Sequence, residues 1–235
     1  MSEADTPRKP RTPDDLLERM PETAYFWGRV AGDGELTSDC LVVRTSDETA
    51  ADALAAIAGT DERSHEIRAH ESAHDASIVR YEDEYELKVF GPVADRAAAA
   101  LGLPIEEQRG GYRFGVFDEF RPELIRGILE SSGTICFRES SGVVGISFVH
   151  DDAELLETVQ SILADSEVHA PTEELSESSS GGYWFGLDDD ADISAFAEWL
   201  YEGSSATGLY SADRRTKLRR CIERATDTDV GVLSE

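Results

Sequence analysis

The order of hydrophobic and polar positions along this chain occurs twice. In the first half, a predicted helix is followed by a loosely alternating hairpin, an Ala-rich helix, two strand-like runs and a second Ala-rich helix. These predicted elements cover residues 21–34, 35–44, 49–58, 77–90 and 91–102. Helices and short strands mixed in this order predict an α+β fold.

The second half repeats the order. Its predicted elements are helix 122–131, strands 134–137 and 142–149, helix 153–164, strand 183–187 and helix 193–201. The glycines that end the first helix of each half, Gly34 and Gly133, stand 99 positions apart. The predicted boundaries are a disordered tail at 1–20, two repeats at 21–108 and 109–225, and a tail at 226–235.

Each half opens with a helix that has a glycine in its middle. Both helices follow a Pro-Glu pair, which suits a first helical turn. A glycine inside a helix costs about 1 kcal/mol relative to alanine, so Gly28 and Gly127 at matching places indicate a packing requirement. We expect the two helices to pack closely against each other at these glycines.

The two helices carry the nonapeptides FWGRVAGDG (26–34) and IRGILESSG (125–133). They resemble the LAGLIDADG motif of the homing endonuclease family. The first copy follows the motif well from Gly28 through Gly34, whereas the second has Ser132 where the family carries its catalytic acid. Across about residues 22–225, the resemblance implies tandem pseudo-twofold αββαββα repeats whose antiparallel sheets form a saddle.

The resemblance also implies a chemistry. In the family, each motif helix supplies an acid that binds a divalent ion, usually Mg²⁺, against a scissile phosphate. Asp33 takes that place in the first copy as catalytic and metal-binding residue, and Lys88 is a candidate catalytic residue because the family often keeps a base near the metals. The alternative for Asp33 is an ordinary Gly-Asp-Gly turn. Ser132 is neutral, so concerted double-strand cleavage is expected to be lost or impaired.

Glu130 does not restore the missing acid. It lies two positions before Ser132, which is a rotation of roughly 200° around a helix. We therefore expect its carboxylate to point away from the metal position.

Basic residues on predicted strands are the candidates for reading DNA, because the family lays its sheets in the major groove and Arg reads guanine edges. These DNA-binding candidates are Arg44, Arg68, Arg80 and Arg138. The alternative for each is a solvated surface arginine, and the acids at 82–84 and 86 weaken a phosphate-binding surface. The basic helix at 214–224 either contacts phosphate or balances the acidic body.

The charge of the whole chain bears on that interpretation. The chain has 49 acidic and 22 basic residues, a net charge of −27. This composition is typical of a halophilic archaeon, because molar salt screens the repulsion. The alternative is an ordinary acidic protein that avoids polyanions. The three cysteines indicate neither a disulfide framework nor a zinc site, and the histidines at 65, 70 and 74 are predicted in a polar loop.

Together these patterns predict a LAGLIDADG-like protein that binds double-stranded DNA, either a homing endonuclease or its catalytically impaired descendant. Any activity would be that of a Mg²⁺-dependent site-specific endonuclease or nickase. We expect a cytoplasmic, monomeric pseudo-dimer without a membrane span. The alternative is a non-enzymatic protein-interaction or small-molecule-binding module on the same fold. A basic strand face would favour DNA binding, and an acidic or apolar face would favour the module.

Overall fold

The computed structural model describes residues 9–72, 75–106, 110–179 and 181–232, and within them all side chains except those of 69–80 and 227–232. The helices are α1 (Pro21–Asp33), α2 (Glu48–Ala58), α3 (Val93–Leu101), α4 (Arg121–Ser132), α5 (Ala153–Ala164), α6 (Ile193–Tyr201), α7 (Ser204–Thr207) and α8 (Ala212–Val232). The strands are β1 (Gly34–Leu36), β2 (Cys40–Thr45), β3 (Arg63–Ser72), β4 (Asp75–Phe90), β5 (Thr134–Arg138), β6 (Val143–His150), β7 (Ser176–Glu177) and β8 (Tyr183–Gly186). A 3-10 helix (Phe114–Phe120) precedes α4.

Each half forms one antiparallel four-stranded sheet. The strand orders are β1-β2-β4-β3 and β5-β6-β8-β7, so the two sheets have the same topology. The sequence of elements in each half is helix, two strands, helix, two strands, helix. The predicted duplicated αββαββα architecture is thereby confirmed.

The two motif helices form the centre of the core. Every residue of α1 from Glu22 to Gly32 is buried, and so is every residue of α4 from Leu124 to Glu130. Both helices start with proline in the first turn, where its missing N–H costs no hydrogen bond. A helix buried on all sides needs apolar or internally paired residues all round. The polar residues within these helices therefore need partners inside the protein.

The segment predicted as a polar loop is instead strand β3. It pairs with β4 from Arg63 opposite Leu87 onward, and β4 is one strand of 16 residues where two runs were predicted. The long hairpin exposes both faces, as the 65% exposure of Ile67 and 73% exposure of Tyr81 show. Alternation of polar and apolar residues is lost where neither face is buried, which explains the wrong prediction.

The one hairpin histidine with a described side chain, His65, has ordinary surroundings. The ring of His65 stacks on Tyr85 at 4.5 Å, and its Nε2 lies 2.7 Å from Asp83 Oδ1. The side chain of His70 and all of His74 lie outside the described residues. Over the part of the chain that is described, no group of three His, Cys, Asp or Glu side chains is arranged to hold a metal.

Described residues near each terminus are ordered beyond the predicted repeat boundaries. Trp27 Nε1 donates a hydrogen bond of 2.6 Å to the Leu16 carbonyl, and Met20 is buried, within the segment predicted as a disordered tail. Helix α8 continues to Val232, past the boundary predicted at 225.

Among the described helices, none combines the length and apolar character needed to cross a bilayer.

Candidate DNA interface and metal position

Helices α1 and α4 cross at the two glycines. A Cβ atom on Gly28 would overlap the Leu124 carbonyl oxygen and lie 3.1 Å from the Gly127 Cα. A Cβ atom on Gly127 would lie 2.5 Å from the Tyr25 carbonyl oxygen. Real side chains do not tolerate such distances to backbone, so only glycine permits this approach of the helices.

The C-terminal ends of the same helices lie side by side. One turn beyond the crossing, a Cβ atom on Gly32 would overlap Ser131 Oγ and lie 3.2 Å from the Ile128 carbonyl oxygen. Each helix ends in an extended glycine whose N–H bonds back into the helix, Gly34 to Val30 and Gly133 to Leu129. The last residues of the two helices, Asp33 and Ser132, therefore occupy matching positions.

Asp33 presents an exposed carboxylate at the end of α1. Loss of surrounding water raises the pKa of this carboxyl, against the opposing attraction of Arg29 and then Arg44. A carboxylate at the negative end of a helix dipole gains from a bound cation. The side chain is therefore suited to hold a divalent ion.

Ser132 presents only a hydroxyl at the end of α4. Its Oγ lies 3.4 Å from the Ile128 carbonyl oxygen, one turn back in its own helix. A neutral hydroxyl supplies no charge to a Mg²⁺ ion, which prefers carboxylate, phosphate and water oxygens. The end of α4 therefore lacks the carboxylate that the end of α1 carries.

Glu130 is buried inside the protein, two residues before Ser132. Its Oε2 accepts hydrogen bonds from Tyr25 Oη at 2.7 Å and from the Ser211 N–H at 2.8 Å. Burial raises the pKa of this carboxyl, although the charge of Arg29 and both hydrogen bonds favour the ionised form. Glu130 thus joins both motif helices to the segment before α8, which is a structural role.

Two arginines within the motif helices are buried, which the sequence did not predict. Arg29 is 2% exposed; its Nη1 lies 3.8 Å from Glu130 Oε2, and its Nη2 donates to the Arg44 carbonyl at 3.4 Å. Arg126 is fully buried and donates to the carbonyls of Leu200 at 2.7 Å and Leu209 at 2.6 Å. Arg126 also lies 3.6 Å from Glu123 in its own helix. The other partners lie further away in sequence, and the local signal is a base at an otherwise apolar helix position.

The open face of the first sheet, the face that points away from the helices, carries three of the predicted DNA-binding or catalytic bases. Arg44 pairs with Glu35 at 2.8 Å and with Glu86 at 2.8 Å, and Lys88 pairs with Glu86 at 2.9 Å. Arg68 pairs with Glu84 at 2.8 Å. The ladder puts the predicted base Arg80 opposite His70, where the side chains lie outside the described ones.

This face is acidic over its described part. The three bases share it with five glutamates, because cross-strand partners point to the same side of a sheet. The glutamates are Glu35, Glu66, Glu82, Glu84 and Glu86. Each predicted base of this face with a described side chain is therefore bound to a strand carboxylate rather than free to meet a phosphate.

The described strands of the second sheet place one charged residue, Arg138, on the open face, and the carboxylate of Glu173 lies over the end of β8 on the same face. Arg138, the DNA-binding candidate of this half, lies 3.5 Å from Asp189. Val149 is 39% exposed and Trp184, its partner across the ladder, is 36% exposed. The two sheets therefore present an acidic and a mainly apolar surface.

A family model described as "Putative archaeal homing endonuclease" (LAGLIDADG_4) matches residues 1–228. The chain belongs to this LAGLIDADG family. A search of curated proteins found no match.

Several solved LAGLIDADG structures are similar to this chain. The homing endonuclease I-WcaI, bound to its DNA recognition sequence, has a TM-score of 0.54 and 7% identity, with 86% of this chain and 87% of that chain covered. Full-length DUF199/WhiA from Thermatoga maritima has a TM-score of 0.49 and 12% identity, with 89% of this chain covered, and the chain spans 63% of its length. I-DmoI in complex with DNA and Mn has a TM-score of 0.46 and 12% identity, with 82% of this chain and 98% of that chain covered. At 7% identity the I-WcaI likeness shows the fold alone.

In this LAGLIDADG protein, the glycine crossing and the helix ends form one continuous feature. The crossing at Gly28 and Gly127 holds the helix ends together, and those ends carry Asp33 on one side and Ser132 on the other. The chemical asymmetry of the protein is thus located at its pseudo-twofold axis.

Proposed function

We propose that this protein binds double-stranded DNA across its two sheets and does not cut both strands in a concerted reaction. The observation that carries the proposal is the asymmetry of the matching helix ends, with a carboxylate at Asp33 and a hydroxyl at Ser132. Family membership and the duplicated sheets support the choice of DNA as the partner.

One divalent ion fits the residues that are present. Mg²⁺ is commonly held by one or two carboxylates together with substrate phosphates and water. In the first half, Asp33 supplies the single carboxylate that such a site needs as a minimum. In the second half, Ser132 supplies none. A bound Mg²⁺ would supply Lewis-acid polarisation of a phosphate oxygen. Asp33 would hold and orient it, so any surviving cleavage would be restricted to one strand.

The acidic face of the first sheet affects how such a protein would bind DNA. Phosphate contacts weaken steeply with salt, and at about 1 M salt charges are screened beyond roughly 3 Å. Exchanging Glu86 for a DNA phosphate at Arg44 and Lys88 leaves the glutamate without its partners. Base-edge and shape contacts therefore have to supply more of the affinity than in a basic DNA-binding protein.

The test is a combined gel-shift and cleavage assay on supercoiled and linear DNA with Mg²⁺, from about 0.1 to 2 M KCl, with wild type, Asp33→Asn and Ser132→Asp. DNA binding by all three supports the proposal, with nicking, if present, abolished in Asp33→Asn. Linear product from wild-type protein would overturn the claim that concerted cleavage is lost. No DNA binding at any salt would overturn the DNA function itself.

A second candidate function is supported by the ion pairs of the first sheet. Arg44, Arg68 and Lys88 are all held by strand glutamates, and the second sheet exposes Val149 and Trp184. An acidic face next to an apolar face suits a protein-interaction module. The gel shift decides between the two candidates, because the module predicts no affinity for DNA at low or high salt.

A further inference from the structure

Helix α8 carries a stripe of bases along a groove beside the second sheet. Lys217, Arg220 and Arg224 follow at i, i+3 and i+7, so they share one face of the helix. They line a groove of about 420 Å³ whose other walls include Phe137, Thr216 and Cys221. Asp213, in the first turn, is the one carboxylate among the lining residues.

The stripe runs along the edge strand β5. At its start, Arg214 Nη1 donates to the Gly133 carbonyl at 2.8 Å, directly before β5. At its other end, the Arg224 guanidinium lies 4.7 Å from the centre of the Phe137 ring and pairs with Glu139. Leu218 and Cys221 are buried on the inner side of the helix. The stripe therefore follows the β5 edge of the second sheet, outward from the helix end that carries Ser132.

Two bases of the stripe are free of ion pairs. Lys217 and Arg220 are exposed, and neither has a carboxylate within 4.0 Å among the residues that the structure describes. The strand bases Arg44, Arg68 and Lys88 are paired, by contrast. In a chain with a net charge of −27, two unpaired bases on one helix face form a surface complementary to a polyanion.

We propose that this stripe binds the phosphate backbone of double-stranded DNA that lies on the second sheet. Lys217 and Arg220 contact the phosphates directly, and Arg224 is held beside them by Phe137 and Glu139. This inference rests on the proposed DNA function. It assigns to α8 the electrostatic contact that the ion-paired bases of the first sheet do not provide.

The test is the salt dependence of binding to a mixed-sequence DNA duplex. Its length is about 40 base pairs, well beyond the footprint of one small domain. The variant is Lys217→Gln/Arg220→Gln, which leaves the Phe137 and Glu139 contacts of Arg224 intact. The matched control is Lys9→Gln/Arg11→Gln, which removes one exposed Lys and one exposed Arg elsewhere in the chain. Circular dichroism defines the KCl range in which all three proteins are folded.

Each lost phosphate contact lowers the slope of log K against log salt by about 1, so the α8 variant is expected to lose about 2. Its affinity falls about 25-fold near 0.2 M KCl and converges with wild type near 1 M, while the control keeps the wild-type slope. An unchanged slope in the α8 variant, or an equal loss in both variants, would overturn this inference and leave the DNA function standing. Wild-type protein that binds no DNA would overturn both.

Discussion

Gly28 and Gly127 permit an approach of two helix backbones that no other residue allows. We predict that Gly28→Ala lowers the free energy of unfolding by about 3 kcal/mol, because its Cβ meets backbone that cannot move aside. Urea unfolding at constant salt measures the loss. Gly115→Ala is the matched control, since its Cβ meets only the far end of Asp118 at 3.9 Å, and it should change stability by less than about 0.5 kcal/mol. Equal effects of the two changes would refute the packing argument.

At Asp33 we expect a substitution to affect the stability of the fold differently from its effect on function. Loss of water raises its pKa in the folded protein, so the native state binds the proton more tightly than the unfolded chain does. The contribution of the Asp33 carboxyl to the free energy of unfolding is therefore lost as pH rises from the unfolded pKa of about 3.9 through the higher folded pKa. We predict that Asp33→Asn unfolds at pH 7.5 with the same or a higher free energy than wild type.

The check is urea unfolding of both proteins at pH 4.5 and pH 7.5. The free energy of unfolding of Asp33→Asn, minus that of wild type, should increase as pH rises. A variant that is less stable at pH 7.5 would mean that the Asp33 carboxylate supports the fold, and that loss of nicking in the same variant does not identify a metal ligand.

At the scale of elements, one carboxylate caps a helix from each half of the protein. Asp47 is 5% exposed; its Oδ1 accepts from the Ala50 N–H at 3.0 Å in α2, and its Oδ2 accepts from the Asp213 N–H at 2.8 Å in α8. The same Oδ2 accepts from Ser211 Oγ at 2.8 Å. Asp47 therefore links the start of α8 to the first repeat.

We predict that Asp47→Ala costs about 3 kcal/mol of unfolding free energy, because two caps are lost and the buried Ser211 hydroxyl loses an acceptor. Asp192→Ala is the control: Asp192 caps only α6, through the Ala195 N–H at 2.9 Å, and its loss should cost about 1 kcal/mol. Denaturant unfolding of both variants measures the difference. If Asp47→Ala costs no more than Asp192→Ala, the link between the halves contributes nothing.

The ion pairs on the open face of the first sheet lead to a prediction about DNA binding. Glu86 accepts from both Arg44 and Lys88, and their hydrogen bonds lower its pKa, that of Lys88 most. If DNA lies on this face, Glu86→Gln should tighten binding several-fold, because both bases are released and one like charge is removed. Gel shifts at fixed salt measure this, with Glu119→Gln as a control of equal charge change outside the sheets. Unchanged binding in Glu86→Gln would place the DNA elsewhere.

Elements with a local signal were predictable, and contacts between distant elements were not. The apolar periodicity and the glycines identified α1 and α4 and their close approach, because these signals lie within single helices. The strand β3 was missed because its hairpin is solvated on both faces. The ion pairs of Arg44 and the carbonyl partners of Arg126 join residues more than 40 positions apart, except for Arg44 with Glu35. The acidic sheet face therefore emerged only from the strand register.

At the scale of the whole molecule, the net charge of −27 opposes the compact state. Exposed ion pairs such as Arg19–Glu119 and Arg219–Glu223 contribute little, because water and ions screen them. Added salt weakens these few attractions and the far more numerous repulsions together. Repulsion dominates in a chain with 49 acids and 22 bases, so we expect salt to stabilise it.

We predict that raising KCl from about 0.2 to 2 M, which shortens the Debye length from about 7 Å to a few Å, raises the free energy of unfolding. A gain of about 2 kcal/mol corresponds to a rise in Tm of roughly 4–8 °C for a chain of this size. Thermal unfolding followed by circular dichroism measures it, with sucrose of matched osmolality as the uncharged control. A Tm that is flat in KCl, or that rises equally in sucrose, would show that charge repulsion is not what salt relieves. The halophilic interpretation of the composition would then lose its physical basis, and the ordinary acidic protein would be the better description.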